Sequence, residues 1–523
     1  MPVALVVALL LLGGCSVGGG GSTTGGIAEG EGAPNVILIV TDDQDAASLE
    51  AMPAVSAQLA NEGASFDRYF DSYPLCCPSR TSIWTGQYAH NHGVHGNFPE
   101  DDGGGYVNLI EPRRVLPVWL RRSGYETAHV GKWASVPGEI PPPGWDRWVG
   151  ITQETSARYY EYTLYDSKPR ENLDFGSDPG DYHTDVVTRT ALGMIDEFAN
   201  RRRPWLLSIA YLAPHLGLGK EGDDASERCN PAGEPVGAVP APRHADAFAD
   251  TPLPTPPSFD EADISDKATD LPGRLDAAER AELELQYQCR LASLASVDEG
   301  IDAIVEKLEQ TGELDNTFVI FTSDNGFLLG EHRLAASKNL PYEESIRVPL
   351  VIRGPEIEPG TTIAAPSMNV DLAPTILELT DAGQPGDLAR PEDGSSLAAL
   401  LTEGGNEDAD RAILIEGRSD TRESVGAYSV ASYEAVRTAR YALIREYVAP
   451  ASSYEAGAEV GLGAGDLVSA ELYDLEHDPY QLENVAGTAA YREVEAELSA
   501  ALTTLSGCEG QSCEISVSLP APT

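Results

Sequence analysis

The chain has 523 residues, 42% hydrophobic and 23% charged, ordinary globular values that exclude wholesale disorder, a collagen-like fibre and a polytopic membrane protein. Its 35 Lys and Arg stand against 83 Asp and Glu, and a net charge of −48 repels nucleic-acid phosphates and anionic lipid, so a site for an anionic substrate needs cations of its own. At about 150 residues per domain the length allows roughly three domains, or one large and one small.

In chain order, Val3 to Leu12 is an unbroken apolar run, about half of the ~20 residues that span a bilayer, followed by Gly13-Gly14-Cys15-Ser16. Residues 1–15 read as a signal peptide. Leu12-Gly13-Gly14-Cys15 resembles a bacterial lipobox, in which Cys15 carries the lipid; the alternative is an ordinary secreted protein, since no Lys or Arg precedes the run. The expected location is outside the cytoplasm, as an envelope lipoprotein or a secreted protein, with membrane contact only through an N-terminal lipid. Residues 16–34, dominated by Gly and Ser, read as a flexible tether.

Asn35-Val36-Ile37-Leu38-Ile39-Val40 predicts a strand buried on both faces that ends in Thr41-Asp42-Asp43-Gln44. The form recurs at Trp205 to Tyr211, leading to Ala213-Pro214-His215, and at Thr317 to Thr322, leading to Ser323-Asp324-Asn325-Gly326. Between these two, Leu291, Leu294, Val297, Ile301, Ile304 and Leu308 recur at helical spacing. Together they predict an α/β fold whose ligands sit outside the strand carboxyl ends. Residues 216–280 lack a period and read as a long insertion, either a solvated loop or a cleft wall. Residues 382–507 carry shorter strand candidates, including Tyr441 to Ile444 and Glu471 to Tyr473, and predict a smaller second domain; residues 508–523 form a Cys-containing tail whose end, Ser518 to Thr523, is expected to be unstructured. An oxidising compartment permits disulfides. Cys508 and Cys513 are spaced to close a small loop, whereas spacing does not decide whether Cys229 pairs with Cys289.

Asp42, Asp43, Asp324 and Asn325 are hard oxygen donors at the ends of two buried strands, the composition of a Ca²⁺ or Mg²⁺ site; an Asp pair after a strand also serves as a turn or helix cap. Pro78 and Ser79 are able to start a helix with its N-terminus near Cys76, an end that favours anions. Two chemistries follow from the residues alone. One is a Cys76 nucleophile of depressed pKa; the other is a zinc site from Cys76, Cys77, His90 and His92.

Cys76-x-Pro78-Ser79-Arg80 with Thr85-Gly86 resembles the sulfatase motif, in which the first Cys is oxidised to formylglycine. Thr41-Asp42-Asp43-Gln44, Gly131-Lys132-Trp133, Ala213-Pro214-His215, Ser323-Asp324-Asn325-Gly326, Gly330-Glu331-His332, Lys338, Tyr342-Glu343 and Leu472-Tyr473-Asp474-Leu475 extend the likeness over about Asn35 to Ala486. The Cys-Cys form of the motif, His90-Asn91-His92-Gly93-Val94, Tyr159-Tyr160-x-Tyr162-Thr163-Leu164 and Thr311 to Asn316 resemble the N-acetylglucosamine-6-sulfatase branch.

The resemblance implies the alkaline-phosphatase-like sulfatase fold, a large mixed sheet flanked by helices over residues 35–381 with a smaller C-terminal α+β domain. It implies a sulfuric ester hydrolase acting on a sulfated carbohydrate such as a 6-sulfated N-acetylglucosamine or a glycosaminoglycan, matured by a formylglycine-generating enzyme. Cys76 would become an aldehyde whose hydrate attacks sulfur, beside a cation, Ca²⁺ ahead of Mg²⁺, held by Asp42, Asp43, Asp324 and Asn325. Arg80 would bind the hydrate or an Asp ligand, Lys132 and Lys338 would hold sulfate oxygens, and His215 would protonate the departing oxygen, itself or with Lys338. His90, His92, His95 and His332 line the pocket or hydrogen-bond loops. Many sulfatases have a histidine where Ala134 stands, and the sequence names no replacement. The alternative activities are a phosphonate or phosphodiester hydrolase of the same fold and a non-catalytic glycan-binding lipoprotein.

Overall fold

In a computed structural model of the chain, the residues described are 32–98, 105–134, 140–217, 227–231, 235–267, 271–404, 410–418, 432–448 and 466–522. The expected signal peptide, Cys15 and most of the tether lie outside them. Among the described residues no helix is long and apolar enough to cross a membrane.

The apolar run at Asn35–Thr41 is buried throughout and forms the middle of a sheet, with Thr317–Ser323 on one side and Trp205–Ala210 on the other, both parallel to it. From edge to edge the sheet has ten strands: Thr361–Ile363, Ala64–Phe66, Leu350–Arg353, Thr317–Ser323, Asn35–Thr41, Trp205–Ala210, Glu126–Gly131, Arg147–Ile151, Thr163–Asp166 and Glu171–Asp174. Leu350–Arg353 joins antiparallel at one end of the parallel block and Thr163–Asp166 at the other, so the sheet is mixed, as expected.

Alternation along the central strand divides the core. Val36, Leu38 and Val40 face the helices Cys76–Thr85, Leu116–Arg122 and Leu372–Leu379, through Trp84, Trp119 and Ile376 among others. Ile37 and Ile39 face the helices His183–Ala199 and Ala277–Thr311, through Val187, Ile195, Val297 and Ile301. The second of these contains the predicted amphipathic segment but begins earlier, at Ala277, inside the stretch read as insertion. A capping box starts it there, with the Asp276 side chain accepting from the Ala278 and Glu279 amides, and Gly312 at φ 75° ends it.

The insertion has little regular structure, yet it is pinned. Cys229 is disulfide-bonded to Cys289 on the long helix, and Asp260 pairs with Arg274 and Arg280. Beyond residue 410 a second sheet of five antiparallel strands runs in the order Asp466–Asp474, Tyr441–Val448, Ser432–Arg437, Arg411–Gly417 and Ile515–Ser516. The helix Arg492–Leu505 covers it with Val494, Leu498, Leu502 and Leu505. The terminal segment thus supplies an edge strand just after the Cys508–Cys513 disulfide; Ser518 to Pro522 has no regular structure.

The sheets are tied by buried polar contacts. Arg411 grips Asp371 with two bonds of 2.7 Å. Glu416 accepts from the Ala89 amide at 3.1 Å and lies 2.9 Å from His90 Nδ1, while His90 Nε2 meets the Cys508 carbonyl at 3.0 Å. Burial opposes the charge on His90, but Glu416 outweighs it and raises the imidazole from 6.5 to about 9. A value raised on folding gives stability that is complete below pH 6.5 and is lost as the pH rises through 9. Replacing His90→Gln is therefore expected to cost up to about 3 kcal/mol at pH 6 and much less at pH 10, read from urea midpoints.

Candidate active site

The parallel register sets Thr41 opposite Ser323 and Val40 opposite Ala210, so three chain segments leave the sheet together at one edge. Asp42, Asp43, Asp324 and Asn325 follow directly, each at most 1% exposed. Asp324 Oδ1 accepts from the Asp43 amide at 3.0 Å, and Asn325 Nδ2 donates to Asp43 Oδ1 at 2.7 Å. The other end of that amide, Asn325 Oδ1, is buried with no hydrogen-bond partner. A buried acceptor left over beside three carboxylates fits a hard divalent cation, which takes oxygen ligands.

Cys76 opens the helix Cys76–Thr85, entered from extended Leu75 and closed by Gly86 at φ 70°. Its Sγ lies 3.0 Å from Lys338 Nζ, 3.4 Å from Asp42 Oδ1 and 3.7 Å from Lys132 Nζ. One turn on, Arg80 Nε donates to Asp324 Oδ2 at 2.8 Å, Nη1 donates to the Lys132 carbonyl at 3.1 Å, and Nη2 stands 3.7 Å from Asp42. Lys132 Nζ is paired with Asp42, and Lys338 Nζ with Asp43 at 2.7 Å. Asp42, Asp43, Cys76 and His215 each bring a ligand atom within 4.8 Å of the others. All nine residues expected at the site are therefore in one cluster, six of them buried and Lys132, His215 and Lys338 partly exposed, including pairs separated by more than 280 positions.

Lys132 is delivered by backbone geometry and aromatic packing. Gly131, at φ 108°, ends its strand so close to the next that a Cβ would lie 1.9 Å from the Ala210 carbonyl oxygen. Trp133 is locked by Trp84 at 5.2 Å, His129 at 5.1 Å and Trp148 at 5.2 Å between ring centres. On the neighbouring strand end, the His215 carbonyl accepts from Tyr159 Oη at 2.7 Å, and its ring nitrogen Nδ1 meets the Leu216 carbonyl at 2.7 Å, leaving Nε2 toward Asp43 at 3.7 Å.

The electrostatics follow from burial and pairing. Burial pushes Asp43 up, but Lys338, His215 and Lys132 together hold its carboxyl well below the usual range. Burial disfavours charge on Lys132 too, and Asp42 more than restores it. His215 is lowered to about 3, by burial first and then by Lys132, so its imidazole is neutral. Burial and then Asp42 push the Cys76 thiol up, although both lysines oppose them.

Of the two chemistries read from the residues alone, the zinc site is corrected by this arrangement; for the thiolate reading, among the protein groups alone burial and Asp42 outweigh the ammonium groups and push the Cys76 thiol up. The zinc set is not assembled: Cys77 Sγ points to the Asn97 carbonyl at 3.7 Å, His92 Nε2 to Ser82 Oγ at 3.1 Å, and His90 to Glu416. The remaining histidines are held elsewhere. His95 is buried beside Tyr73, and His332 pairs with Glu261 at 2.8 Å while stacking on Tyr342. Sequence reasoning missed Tyr159 as the anchor of His215, and Arg290, whose guanidinium reaches the Asp43 and Pro214 carbonyls. Tyr159 stands in the Tyr159-Tyr160-x-Tyr162 stretch and Arg290 in a helical pattern, but each acts on main chain distant in sequence, which no local pattern announces.

Comparison with known proteins agrees with this geometry. The sulfatase family model matches residues 34–382, and one described as N-sulphoglucosamine sulphohydrolase, C-terminal, matches residues 330–456. An arylsulfatase of Volvox carteri is 33% identical, over 92% of this chain and 75% of its own. N-acetylglucosamine-6-sulfatase of Homo sapiens is 30% identical, over 93% of this chain and 87% of its own. A solved structure of a protein in complex with its substrate D-glucosamine-2-N,6-O-disulfate superposes with a TM-score of 0.71 at 26% identity, covering 90% of this chain and 97% of that one.

Arg80 is 3% exposed and faces two acids, so removing its charge strands them. The Arg80→Met variant is expected to lose about 3–5 kcal/mol of stability, measured as a fall in the denaturant midpoint.

Proposed function

The chain belongs to the sulfatase family, and on that basis we propose that it removes sulfate from a sulfated sugar, a 6-sulfated N-acetylglucosamine or a glycosaminoglycan unit, outside the cytoplasm. The observation that carries the reading is the position of Cys76, whose Sγ sits inside a cluster of two ammonium groups and the buried acids. The sugar is supported by the N-acetylglucosamine-6-sulfatase of Homo sapiens, 30% identical, and by the solved structure holding a sulfated glucosamine.

The donor set fits Ca²⁺, held by Asp42, Asp43, Asp324 and Asn325, since every ligand is a hard oxygen and the Asn325 carbonyl oxygen has no protein partner. Cys76 is a buried, unpaired cysteine at the start of a helix and facing that set, the position a formylglycine needs. A formylglycine hydrate supplies a hydroxyl nucleophile, and the cation supplies charge neutralisation. Lys132 and Lys338 flank Cys76 and hold the oxygens of an incoming sulfate ester, giving an acidic protein a local cationic pocket. Arg80 fixes Asp324 and Asp42, while Lys132 and Lys338 are paired with Asp42 and Asp43 and would turn to sulfate oxygens as a cation takes over those carboxylates. The proton for the departing sugar oxygen comes from His215 together with Lys338: the neutral His215 holds its one proton at Nδ1 against the Leu216 carbonyl, so Nε2 passes on a proton only after taking one, and the Lys338 ammonium is its source within the site. The N-terminal segment supports export as an envelope lipoprotein lipidated at Cys15.

Mass spectrometry of the Tyr69 to Arg80 tryptic peptide from protein made in its native host is expected to show the aldehyde at Cys76; a thiol there would remove the nucleophile. Lys338→Ala and His215→Ala are each expected to lower turnover of an aryl sulfate at least ~10²-fold with unchanged circular dichroism. An aryl phosphodiester tested alongside separates the sulfatase from a phosphorus hydrolase of the same fold, and faster turnover of the phosphodiester would overturn the reading.

A further inference from the structure

Arg290 lies on the long helix Ala277–Thr311, 4% exposed, in a position that the reaction outlined above does not use. Its guanidinium donates from Nη1 to the Pro214 carbonyl at 3.2 Å and from Nη2 to the Asp43 carbonyl. It stacks over Phe327, 4.2 Å from the ring centre, and its Nη2 is 3.8 Å from the Asp45 carboxylate. These contacts fall on the segments that follow three adjacent strands: Asp43 to Asp45 after the first, Pro214 beside His215, and Phe327 two residues beyond Asn325.

Asp43 has a φ of 65°, in the left-handed region, where a side chain meets a steric cost that Asp bears more readily than most residues. The Asp42 amide bonds to the Ala213 carbonyl at 3.3 Å, the Asp43 amide to Asp324, and the Gln44 amide, in the same peptide unit as the Asp43 carbonyl, to Ser323 Oγ at 2.9 Å; none of these bonds joins the Asp43 carbonyl to Pro214. One planar fork reaches that carbonyl and the Pro214 carbonyl together, and a lysine has a single point of attachment.

We propose that Arg290 is a positioning residue for the sulfatase site, whose guanidinium sets the separation between the Asp43 carboxylate and the His215 ring. It acts through main chain, and it thereby governs both the affinity of the acid cluster for a divalent cation and the alignment of the proton donor. The inference rests on the reading of the site as a sulfatase centre. Asp45 and Phe327, the two side chains that meet the guanidinium, also line a cavity of about 580 Å³ together with Tyr287 and Glu344.

The test uses the full chain, as wild type, Arg290→Lys and Arg290→Ala, and reads folding by circular dichroism, kcat and KM on an aryl sulfate, and Ca²⁺ affinity by calorimetry. Arg290→Lys is expected to fold, to lose at least ~10-fold in kcat with KM within about threefold, and to weaken Ca²⁺ binding about tenfold. In Arg290→Ala, millimolar methylguanidinium is expected to restore part of kcat where sodium chloride at equal concentration does not. A folded Arg290→Lys with wild-type kcat and Ca²⁺ affinity would overturn the proposal. So would failure of both variants to fold, which would make Arg290 a residue of stability alone. If the wild type turns over no sulfate ester, the functional reading fails, and the Ca²⁺ affinities still decide whether Arg290 arranges the acid cluster.

Discussion

Three carboxylates buried side by side are the constraint around which this protein is built. Asp42, Asp43 and Asp324 are each at most 1% exposed, and burying a charge costs several kcal/mol unless an opposite charge arrives with good geometry. The compensating groups come from three directions: Arg80 from the helix after Cys76, Lys132 from the end of Glu126–Gly131, and Lys338 from the segment beyond Asn325. Each delivery has its own support. The tryptophan cluster fixes Lys132, the buried helix fixes Arg80, and the segment around Lys338 is held from the second sheet.

That last dependence gives the C-terminal sheet a role beyond covering an edge. Glu343 pairs with Arg437 at 2.7 Å and its amide donates to Gln481 Oε1 at 2.9 Å, while Tyr342 Oη donates to Glu471 at 3.4 Å. The Asn339 amide bonds to the Pro74 carbonyl at 2.9 Å, just ahead of Cys76. Lys338 is thus suspended between the second sheet and the approach to the helix that carries Cys76, so the two sheets cannot shift relative to one another without moving a cation of the site.

Much of this was legible. The strands at Asn35, Trp205 and Thr317 announce themselves as apolar runs because both faces of a central parallel strand are covered, and the polar residues after them mark the ligand edge. What periodicity could not supply is which strand ends meet; Asp42 and Asp324 were grouped by their donor type at two buried strand ends and then by the motif resemblance, and the register explains why they meet. The roles of His90, His92, His95 and His332 stayed open because a histidine's surroundings, here Glu416, Ser82, Tyr73 and Glu261, belong to distant segments. The insertion failed to declare itself for a related reason: it is held to the long helix by Cys229–Cys289 and the Asp260–Arg280 pair, and within itself by Asp260 with Arg274, rather than by any repeat of its own. Arg290 is the extreme case, one arginine in a helical pattern whose significance lies wholly in the carbonyls it reaches.

The helix that begins at Cys76 is buried at every one of its ten residues, and Cys76 itself is 2% exposed beneath the two lysines. An enzyme that modifies a side chain must take hold of several residues around it, and the finished fold offers it no such handle. Any chemistry done on Cys76 by another protein therefore belongs to the nascent or unfolded chain, before the strands close over the helix. For the formylglycine proposed at Cys76, folding would then be the deadline: a chain that collapses first would hold its ion pairs complete around an unmodified thiol.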